Sequence, residues 1–426
     1  MTATGRGFAR RLSGGLGTNY WRVWTSSAGS NLADGMFWIA FPLLAIRLTD
    51  SPALVAGVAI AGRLPWLFFV LVAGALADRL DRRRTMLTVA VFRTIVSAGV
   101  AVGVFAGIVT LPILYLVALL LGIAETLFDT AAQSLMPNVV RPEQLSDANG
   151  RLYAVELTMN QFVGPPLGGF LSGIGIAIAF AGSALGYVVG VASLGAVRGS
   201  FRPASSETRG SILSDIRVGL AFLFRHRLLR TFAFMVGVMN LASSAVFAVF
   251  VLYAVRPGPM GLTELEFGIL TTGLAVGSLV GSLIASRAEA LLGRARLLLL
   301  SVITSAATMM IIGFTTNAWV IGGAFALNGL TIMMWNIVTV SLRQRITPDA
   351  LLGRLNASYR LLAWGTQPVG ALLGGIVGEL FGLPAVFTLS GAFVTILLPL
   401  FLTIVTEREI AAAEAGGAGE RAVAAA

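Results

Sequence analysis

Long apolar stretches, separated by short polar segments, extend along almost the whole chain. A helix needs roughly 20 consecutive apolar residues to cross a bilayer. We predict about twelve such spans, at residues 24–46, 55–76, 86–107, 111–131, 152–172, 176–197, 229–254, 266–286, 297–315, 318–340, 358–378 and 385–405. The pattern therefore predicts an all-α integral membrane protein with about twelve transmembrane helices.

The composition agrees with this prediction. Of 426 residues, 56% are hydrophobic and 12% are charged, and the mean hydropathy is +0.86. Soluble domains need more polar surface than this. Cysteine is absent, which excludes disulfides and thiolate metal sites, and we predict no metal site and no cofactor. Basic residues do not cluster with aromatic ones, so nucleic acid is not an expected partner.

The arginines predict the orientation. All 30 basic residues are Arg, and 26 of them fall on one side if the N-terminus is placed in the cytoplasm. Only Arg47 and Arg256 fall on the other side, while Arg63 and Arg93 lie within spans. Because short cytoplasmic loops carry an excess of Lys and Arg, both termini are predicted to be cytoplasmic, in a bacterial inner membrane.

A long linker divides the spans six and six. We predict a cytoplasmic leader at 1–22, a six-helix bundle at 23–197, a cytoplasmic linker at 198–227, a second six-helix bundle at 228–405 and a cytoplasmic tail at 406–426. The leader lacks a small-residue cleavage site and precedes a full-length span, so it is interpreted as uncleaved. The tail is rich in Ala, Gly and Glu from Ile410 onward, which predicts disorder.

The two halves share a pattern at a fixed separation of 206 residues. The matching positions are Pro142 and Pro348, Leu145 and Leu351, Tyr153 and Tyr359, Gln161 and Gln367, Gly168 and Gly374, and Gly169 and Gly375. A fixed offset between spans of the same direction implies parallel repeats related by an axis along the membrane normal. The substrate path is then expected between the halves, near mid-membrane.

A short polar loop follows the second predicted span. It combines a glycine, an acid and several arginines, namely Gly74, Asp78, Arg79, Arg82 and Arg83. With six-plus-six topology, this loop resembles the G-x-L-a-D-R-x-G-R-R signature of the major facilitator superfamily. Asp81 stands where Gly is usual. Together with the segment 133–150, that departure resembles the branch of drug:proton antiporters that includes macrolide efflux and enterobactin export proteins.

The resemblance implies the major facilitator fold, with two six-helix bundles that rock against each other. It also implies a conformational latch, in which Asp78 caps a helix of the other half and Arg79 pairs with Asp129 at the inner end of the fourth span. An acid at a helix N-terminus bonds free N–H groups and meets the positive end of the dipole, so this latch is physically reasonable.

The fifth span contains a second motif. Its Gly164, Pro165, Gly168 and Gly169 match the G-P-x-x-G-G core of the superfamily's antiporter motif. The resemblance favours export over import. Glycine allows close helix contact and proline bends a helix, and both suit halves that move against each other. A helix that is simply closely packed would show the same residues.

Four charges are predicted inside the membrane, all in the first half. Asp34 and Arg63 lie at similar depth, as do Arg93 and Glu125, and each pair could form an ion pair. A carboxylate that alternates between an Arg partner and a proton can couple transport to protons, because burial favours its neutral form and the Arg favours its charged form. Asp34 is the first candidate and Glu125 the second. Permanent ion pairs that hold the spans together are the alternative.

The second half offers neutral polar and aromatic groups instead. The candidates for lining a substrate cavity are Asn240, Asn328, Trp335, Asn336, Trp364 and Gln367. An apolar, aromatic cavity with a few amides suits a bulky amphipathic compound better than a sugar. Each of these residues alone could equally serve helix packing.

These features together predict a monomeric secondary exporter of a small amphipathic compound such as a drug, an antibiotic or a siderophore. Proton antiport by alternating access is the expected mechanism, and sodium is an alternative coupling ion. A lysophospholipid or other lipid flippase is a second hypothesis. A membrane-embedded enzyme is a third, and the sequence argues against it because it shows no cluster of catalytic groups.

Overall fold

The computed structural model describes residues 16–69, 81–136, 139–141, 144–199 and 212–415. The first half contains α1 (Gly17–Leu48), α2 (Pro52–Phe68), α3 (Arg82–Phe105), α4 (Leu111–Leu135), α5 (Leu145–Leu157), a π-helical segment (Thr158–Val163), α6 (Gly164–Ile174) and α7 (Ile176–Gly195). The second half contains α8 (Ile212–Arg225), α9 (Arg227–Ala254), α10 (Glu264–Leu292), α11 (Arg294–Phe314), α12 (Ala318–Ile346), α13 (Asp349–Phe381), α14 (Leu383–Thr395) and α15 (Leu400–Thr403).

The helices match the predicted spans. In the part of the chain that the structure describes, ten helices are long and apolar enough to cross a membrane. The two remaining predicted spans correspond to α2, which is shorter, and to α5 and α6, which the π-helical segment joins. The predicted all-α membrane fold is therefore confirmed.

Three segments differ from the expectation. Helix α1 begins at Gly17, so the end of the predicted leader belongs to the bundle, where Tyr20 is fully buried and its hydroxyl donates to the Ala148 carbonyl over 3.1 Å. The predicted linker contains α8, which packs against α13. The predicted disorder from Ile410 is wrong for residues 410–415, which are helical. The prediction used composition alone, which does not reveal that Glu414 forms ion pairs or that Ile410 is buried.

The chain forms two compact units. One comprises Met1–Leu44 with Phe68–Ser205, and the other comprises Ala45–Leu67 with Ser206–Ala426. Helix α2 thus belongs to the second unit, although the sequence placed it in the first bundle. Small residues allow this packing, because a Cβ atom added to Gly375 would lie 2.8 Å from the Cβ of Ala56.

Glycines bring α1 and α6 into backbone contact in the first unit. A Cβ atom added to Gly164 would lie 2.6 Å from the Cα of Gly35, so neither position accepts a side chain without moving a helix. The second unit repeats this contact 206 residues later, where Gly370 packs directly against the backbone of Leu241. The repeat seen in the sequence is therefore also a repeat of helix contacts.

The π-helical segment lies immediately before the Gly-Pro-Pro sequence at 164–166. The Gly164 N–H bonds to the Met159 carbonyl, five residues back. Pro165 and Pro166 have no N–H to donate, so they interrupt the regular α-helical ladder at this point. The antiporter-type motif thus marks a local change of helix type, in contrast to α13, which is α-helical throughout.

Candidate functional site

A buried charge cluster joins three helices of the first unit. Arg93 Nη2 on α3 donates to Asp34 Oδ1 on α1 over 2.7 Å, and the Tyr187 hydroxyl on α7 donates to the same oxygen over 2.5 Å. The Arg93 side chain is 5% exposed and that of Asp34 is 18% exposed. Asp34 is therefore held by a cation and a hydroxyl in a nearly dry environment.

Aromatic rings also stabilise the buried guanidinium. Its carbon lies 4.8 Å from the ring centre of Tyr187 and 5.9 Å from that of Phe128 on α4. Cation–π contacts of this kind offset part of the free energy that a buried charge costs. Tyr187 therefore serves both partners, since its hydroxyl bonds the acid and its ring faces the base.

The structure shows one ion pair that the sequence did not predict. Sequence reasoning suggested Asp34 with Arg63 and Arg93 with Glu125, and the structure joins Asp34 with Arg93. Depth along the membrane normal does not identify neighbouring helices. Arg63 lies on α2 in the second unit, and Glu125 lies on α4, three residues before Phe128. Tyr187 was missed, although a tyrosine in the middle of an apolar span is a detectable signal.

The second unit replaces this cluster with uncharged residues. At an offset of 206, Asp34 corresponds to Asn240, Arg93 to Leu299 and Tyr187 to Phe393. Asn240 Nδ2 donates to the Ala363 carbonyl on α13 over 2.7 Å. Equivalent positions thus carry a titratable group in one half and a fixed hydrogen-bond donor in the other.

A cavity of about 320 Å³ lies within the second unit, between α9, α11, α12 and α13. Five of the six predicted cavity residues line it: Asn240, Asn328, Trp335, Asn336 and Trp364. Gln367 does not line it, and its backbone carbonyl instead accepts a hydrogen bond from the Ser244 hydroxyl over 2.7 Å. The sequence prediction thus selected residues that come together around one cavity.

Other lining residues were missed, and the most informative are Arg343 and Tyr359. Arg343 was assigned to a cytoplasmic loop, but α12 continues to Ile346 and carries Arg343 on the cavity wall. Its guanidinium carbon lies 4.1 Å from the ring centre of Tyr359. Helical spacing could have found it, because Asn336 and Arg343 are seven residues apart and therefore share a face.

The predicted latch falls largely outside the described residues. Gly74, Asp78 and Arg79 lie there, and so does the side chain of Asp129. The remaining part of the loop has local roles.

Asp81, where the family usually has Gly, caps α3 by accepting from the Arg84 N–H over 2.9 Å. Arg82 lies in the first turn of α3. Arg83 donates to the carbonyls of Leu194 and Gly195 at the end of α7. A cation at that position satisfies free carbonyls and meets the negative end of the helix dipole.

Two polar contacts within the second unit connect the end of α1 and the segment after it to later helices. Arg47 Nη2 lies 3.0 Å from Glu264 Oε1 at the start of α10. The Ser51 hydroxyl donates to Glu379 Oε2 over 2.6 Å near the end of α13. Both contacts are exposed, and they can form and break at low free energy.

The C-terminal segment at 407–415 is held by its acids. Glu407 Oε1 accepts from the Ala295 N–H at the start of α11 over 2.7 Å. Glu414 bridges Arg294, at 2.7 Å, and Arg345, at 3.2 Å. The segment therefore connects the ends of α11 and α12.

Similarity to known proteins extends over most of the chain. A family model described as "Transmembrane secretion effector" matches residues 16–418. A multidrug efflux pump, Tap of Mycolicibacterium fortuitum, is 27% identical over 377 residues, which cover 85% of this chain and 89% of Tap. An enterobactin exporter, EntS of Shigella boydii serotype 4 (strain Sb227), is 25% identical over 376 residues, 88% of each chain.

Solved structures show the same fold. A bacterial homologue of the iron transporter ferroportin in the inward-facing state aligns with a TM-score of 0.69 at 15% identity, covering 91% of this chain and 98% of that chain. The nucleoside transporter NupG aligns with a TM-score of 0.68 at 14% identity, and the alignment covers 90% of this chain and 98% of that chain. At these identities the likeness concerns the fold alone.

Proposed function

The chain belongs to the transmembrane secretion effector family of the major facilitator superfamily, and we propose that it exports a small amphipathic compound by proton-coupled alternating access. It is a multi-pass protein of the bacterial inner membrane and a transporter rather than an enzyme. The names of its relatives, a multidrug efflux pump and an enterobactin exporter, support outward transport of compounds of this class.

The observation that carries the proposal is the hydrogen-bonded cluster around Asp34. While Asp34 is charged, Arg93 and Tyr187 hold α1 against α3 and α7. Protonation removes the negative charge, so the attraction to the buried Arg93 falls sharply in this low-dielectric environment. Proton binding can therefore loosen the contact between these three helices, and proton release can restore it.

Glu125 is the proposed second acid. It lies one helical turn from Phe128, whose ring faces the Arg93 guanidinium. Glu125 can help to compensate the Arg93 charge when Asp34 takes up a proton, so that Asp34 alone changes its protonation between the two states. One proton is then bound and released in each cycle.

The cavity of the second unit is the proposed substrate site. Its amides and tryptophans offer hydrogen bonds and apolar surface to one compound. With both termini in the cytoplasm, as the arginine distribution favours, the contacts of Arg47 with Glu264 and of Ser51 with Glu379 lie at the outer face. There they would limit access to the cavity of the second unit from the outside.

The test uses purified protein in liposomes with a panel of macrolides, fluorescent dyes, siderophores and aromatic acids. The wild type should transport at least one of them when a pH gradient is imposed. Asp34→Asn should lose this pH-driven transport but retain exchange of substrate down its own gradient. Asp50→Asn, at an exposed acid between α1 and α2, is the matched control and should behave like the wild type.

Three other outcomes would each contradict part of this proposal. Transport that follows an imposed sodium gradient would replace protons as the coupling ion. Undiminished pH-driven transport by Asp34→Asn would remove Asp34 from the coupling mechanism. Absence of any panel transport, with movement of labelled lysophospholipid between leaflets, would replace export of a soluble compound by lipid flipping.

A further inference from the structure

Helix α8 precedes the membrane span α9 with a single residue between them. Helix α8 ends at Arg225 and α9 begins at Arg227, while His226 between them has an extended backbone conformation. Helix α9 is long and apolar enough to cross a membrane, and Leu228 and Leu229 at its start are buried. The end of α8 therefore lies where the chain enters the bilayer.

One side of α8 is attached to the second unit. Leu223 is fully buried. Gly219, one turn earlier, packs directly on α13, because a Cβ atom added there would meet the Arg354 carbonyl. The opposite side of the helix faces away from α13 and is exposed. Its residues share one helical face by their spacing, and they are Arg217, Val218, Ala221, Phe224 and Arg225.

This exposed face combines cations with apolar side chains. Phe224 is 55% exposed and Val218 is 38% exposed, and Arg217 and Arg225 lie eight residues apart on the same face. Basic residues mixed with apolar rings are typical of helices that lie in the headgroup region of a membrane. There the rings enter the boundary of the acyl chains and the guanidinium groups reach the phosphates.

Positive charge continues from α8 into the start of α9. Among the described side chains from residue 217 to residue 230, four are exposed arginines and none is acidic. Arg227 and Arg230 lie at the start of α9, near the positive end of the helix dipole. Anionic headgroups at this surface would offset the repulsion, and each arginine near such a surface strengthens binding severalfold.

We propose that the exposed face of α8 lies on the bilayer surface and binds the phosphate groups of anionic lipids through Arg217 and Arg225. Arg227 and Arg230 add to the positive potential at the same place. This contact with the membrane goes beyond the proposed export, because it does not depend on which compound is transported.

A single fluorescent label tests where this face lies and which lipid it meets. The chain has no cysteine, so Ala221→Cys, midway between Arg217 and Arg225, gives one site for the dye. The labelled full-length protein is placed in phosphatidylcholine nanodiscs that contain a minor fraction of a quenching lipid, with a nitroxide near the headgroup end of its acyl chain. The quenching lipid is either phosphatidylglycerol, which is anionic, or phosphatidylcholine, which has no net charge. The anionic lipid should quench the dye at about tenfold lower mole fraction.

Variants in the labelled background assign this preference to the two arginines. Arg217→Gln with Arg225→Gln should reduce it from about tenfold to about twofold. Arg217→Lys with Arg225→Lys should keep most of it, because the charge remains. Arg287→Gln with Arg408→Gln removes two exposed arginines elsewhere in the chain and should keep all of it.

Three results would overturn the proposal. Quenching by iodide added to the buffer, with none by either lipid, would show that the face is turned to water. Equal quenching by the two lipids would show a bilayer contact without selection for anionic lipids. An undiminished preference in the glutamine variant would show that other groups bind the lipid. Since no substrate and no ion gradient is present, failure of the proposed export would leave these results unchanged.

Discussion

Asn240 occupies in the second repeat the position that Asp34 occupies in the first, 206 residues earlier. The two side chains have the same shape, but only the carboxylate can take up a proton. Asp34 accepts hydrogen bonds from Arg93 and Tyr187, whereas Asn240 donates one to the Ala363 carbonyl at the cavity wall. Matching positions of the repeat thus carry a group that can bind a proton in one half and a hydrogen-bond donor at the cavity wall in the other.

Stability measurements should reveal the coupling between Asp34 and Arg93. Asp34→Asn removes the carboxylate that bonds the buried Arg93, which we expect to lower stability by about 3 kcal/mol. The double variant Asp34→Asn with Arg93→Leu, which introduces the residues found at the equivalent positions of the second repeat, should be destabilised less than the single variant. Thermal denaturation in detergent measures both.

A double variant that loses as much stability as the two single variants together would contradict a direct pair. Asp50→Asn serves as the control for loss of an exposed acid.

Gly164→Ala should separate α1 from α6. The new methyl group would lie 2.6 Å from the Cα of Gly35, so the helices must move apart, and we expect a loss of about 1 to 3 kcal/mol together with reduced transport. Gly173→Ala on the same helix is the matched control, because its methyl group meets nothing within 4 Å. The control should leave stability unchanged or raise it slightly, since Ala favours helix more than Gly. Equal melting temperatures for the two variants would show that the crossing is not tight.

Glu414→Gln should loosen the C-terminal segment from α11 and α12. It weakens the ion pairs with Arg294 and Arg345, each worth about 0.2 to 1 kcal/mol in partly exposed surroundings. Limited proteolysis should therefore cut residues 407–415 faster than in the wild type. Glu409→Gln changes a neighbouring acid that lies outside these ion pairs, and its cleavage rate should not change.

Glu379→Gln should weaken the contact with the region between α1 and α2. The charge-assisted hydrogen bond from Ser51 becomes a neutral one, which favours the state in which these segments are apart. Since the chain has no cysteine, Ser243→Cys on the cavity wall provides a single labelling site. A membrane-impermeant thiol reagent added outside the cell should then label it faster.

Glu266→Gln is the control for that experiment. Glu266 bonds only within its own helix start, where it completes the capping box with Thr263. Labelling should remain at the wild-type rate in this variant. An equal increase in both variants would show a general loosening rather than release of a specific contact.

The sequence predicted the helices well because the length of an apolar run is a local property. It also placed Asp34 and Arg93 correctly as buried charges, but not as partners, because partner choice depends on which helices are neighbours.

Arg343 was assigned to a loop because a count of arginines by side treats every arginine near a span end as solvent-exposed. The ring of Tyr359 holds its guanidinium at the cavity instead, and that contact connects two different helices.

The antiporter-type motif was predicted as a site of close packing and bending. The close contact of Gly164 with Gly35 agrees with the first expectation. The π-helical segment at 158–163 was not predicted, because no single residue type specifies it. Its position before two consecutive prolines gives the physical reason, since they remove two donors from the helix.

That segment also explains why two residues at the same repeat position have different surroundings. Tyr153 is 57% exposed, whereas its counterpart Tyr359 is 8% exposed and lines the cavity. A π turn takes up more residues than an α turn, so the side chains before it are rotated relative to those after it. We infer that matching side chains before this segment point in different directions around the helix axis in the two halves. A local change of helix type can therefore give two repeated halves different surroundings at the same position, without any insertion or deletion.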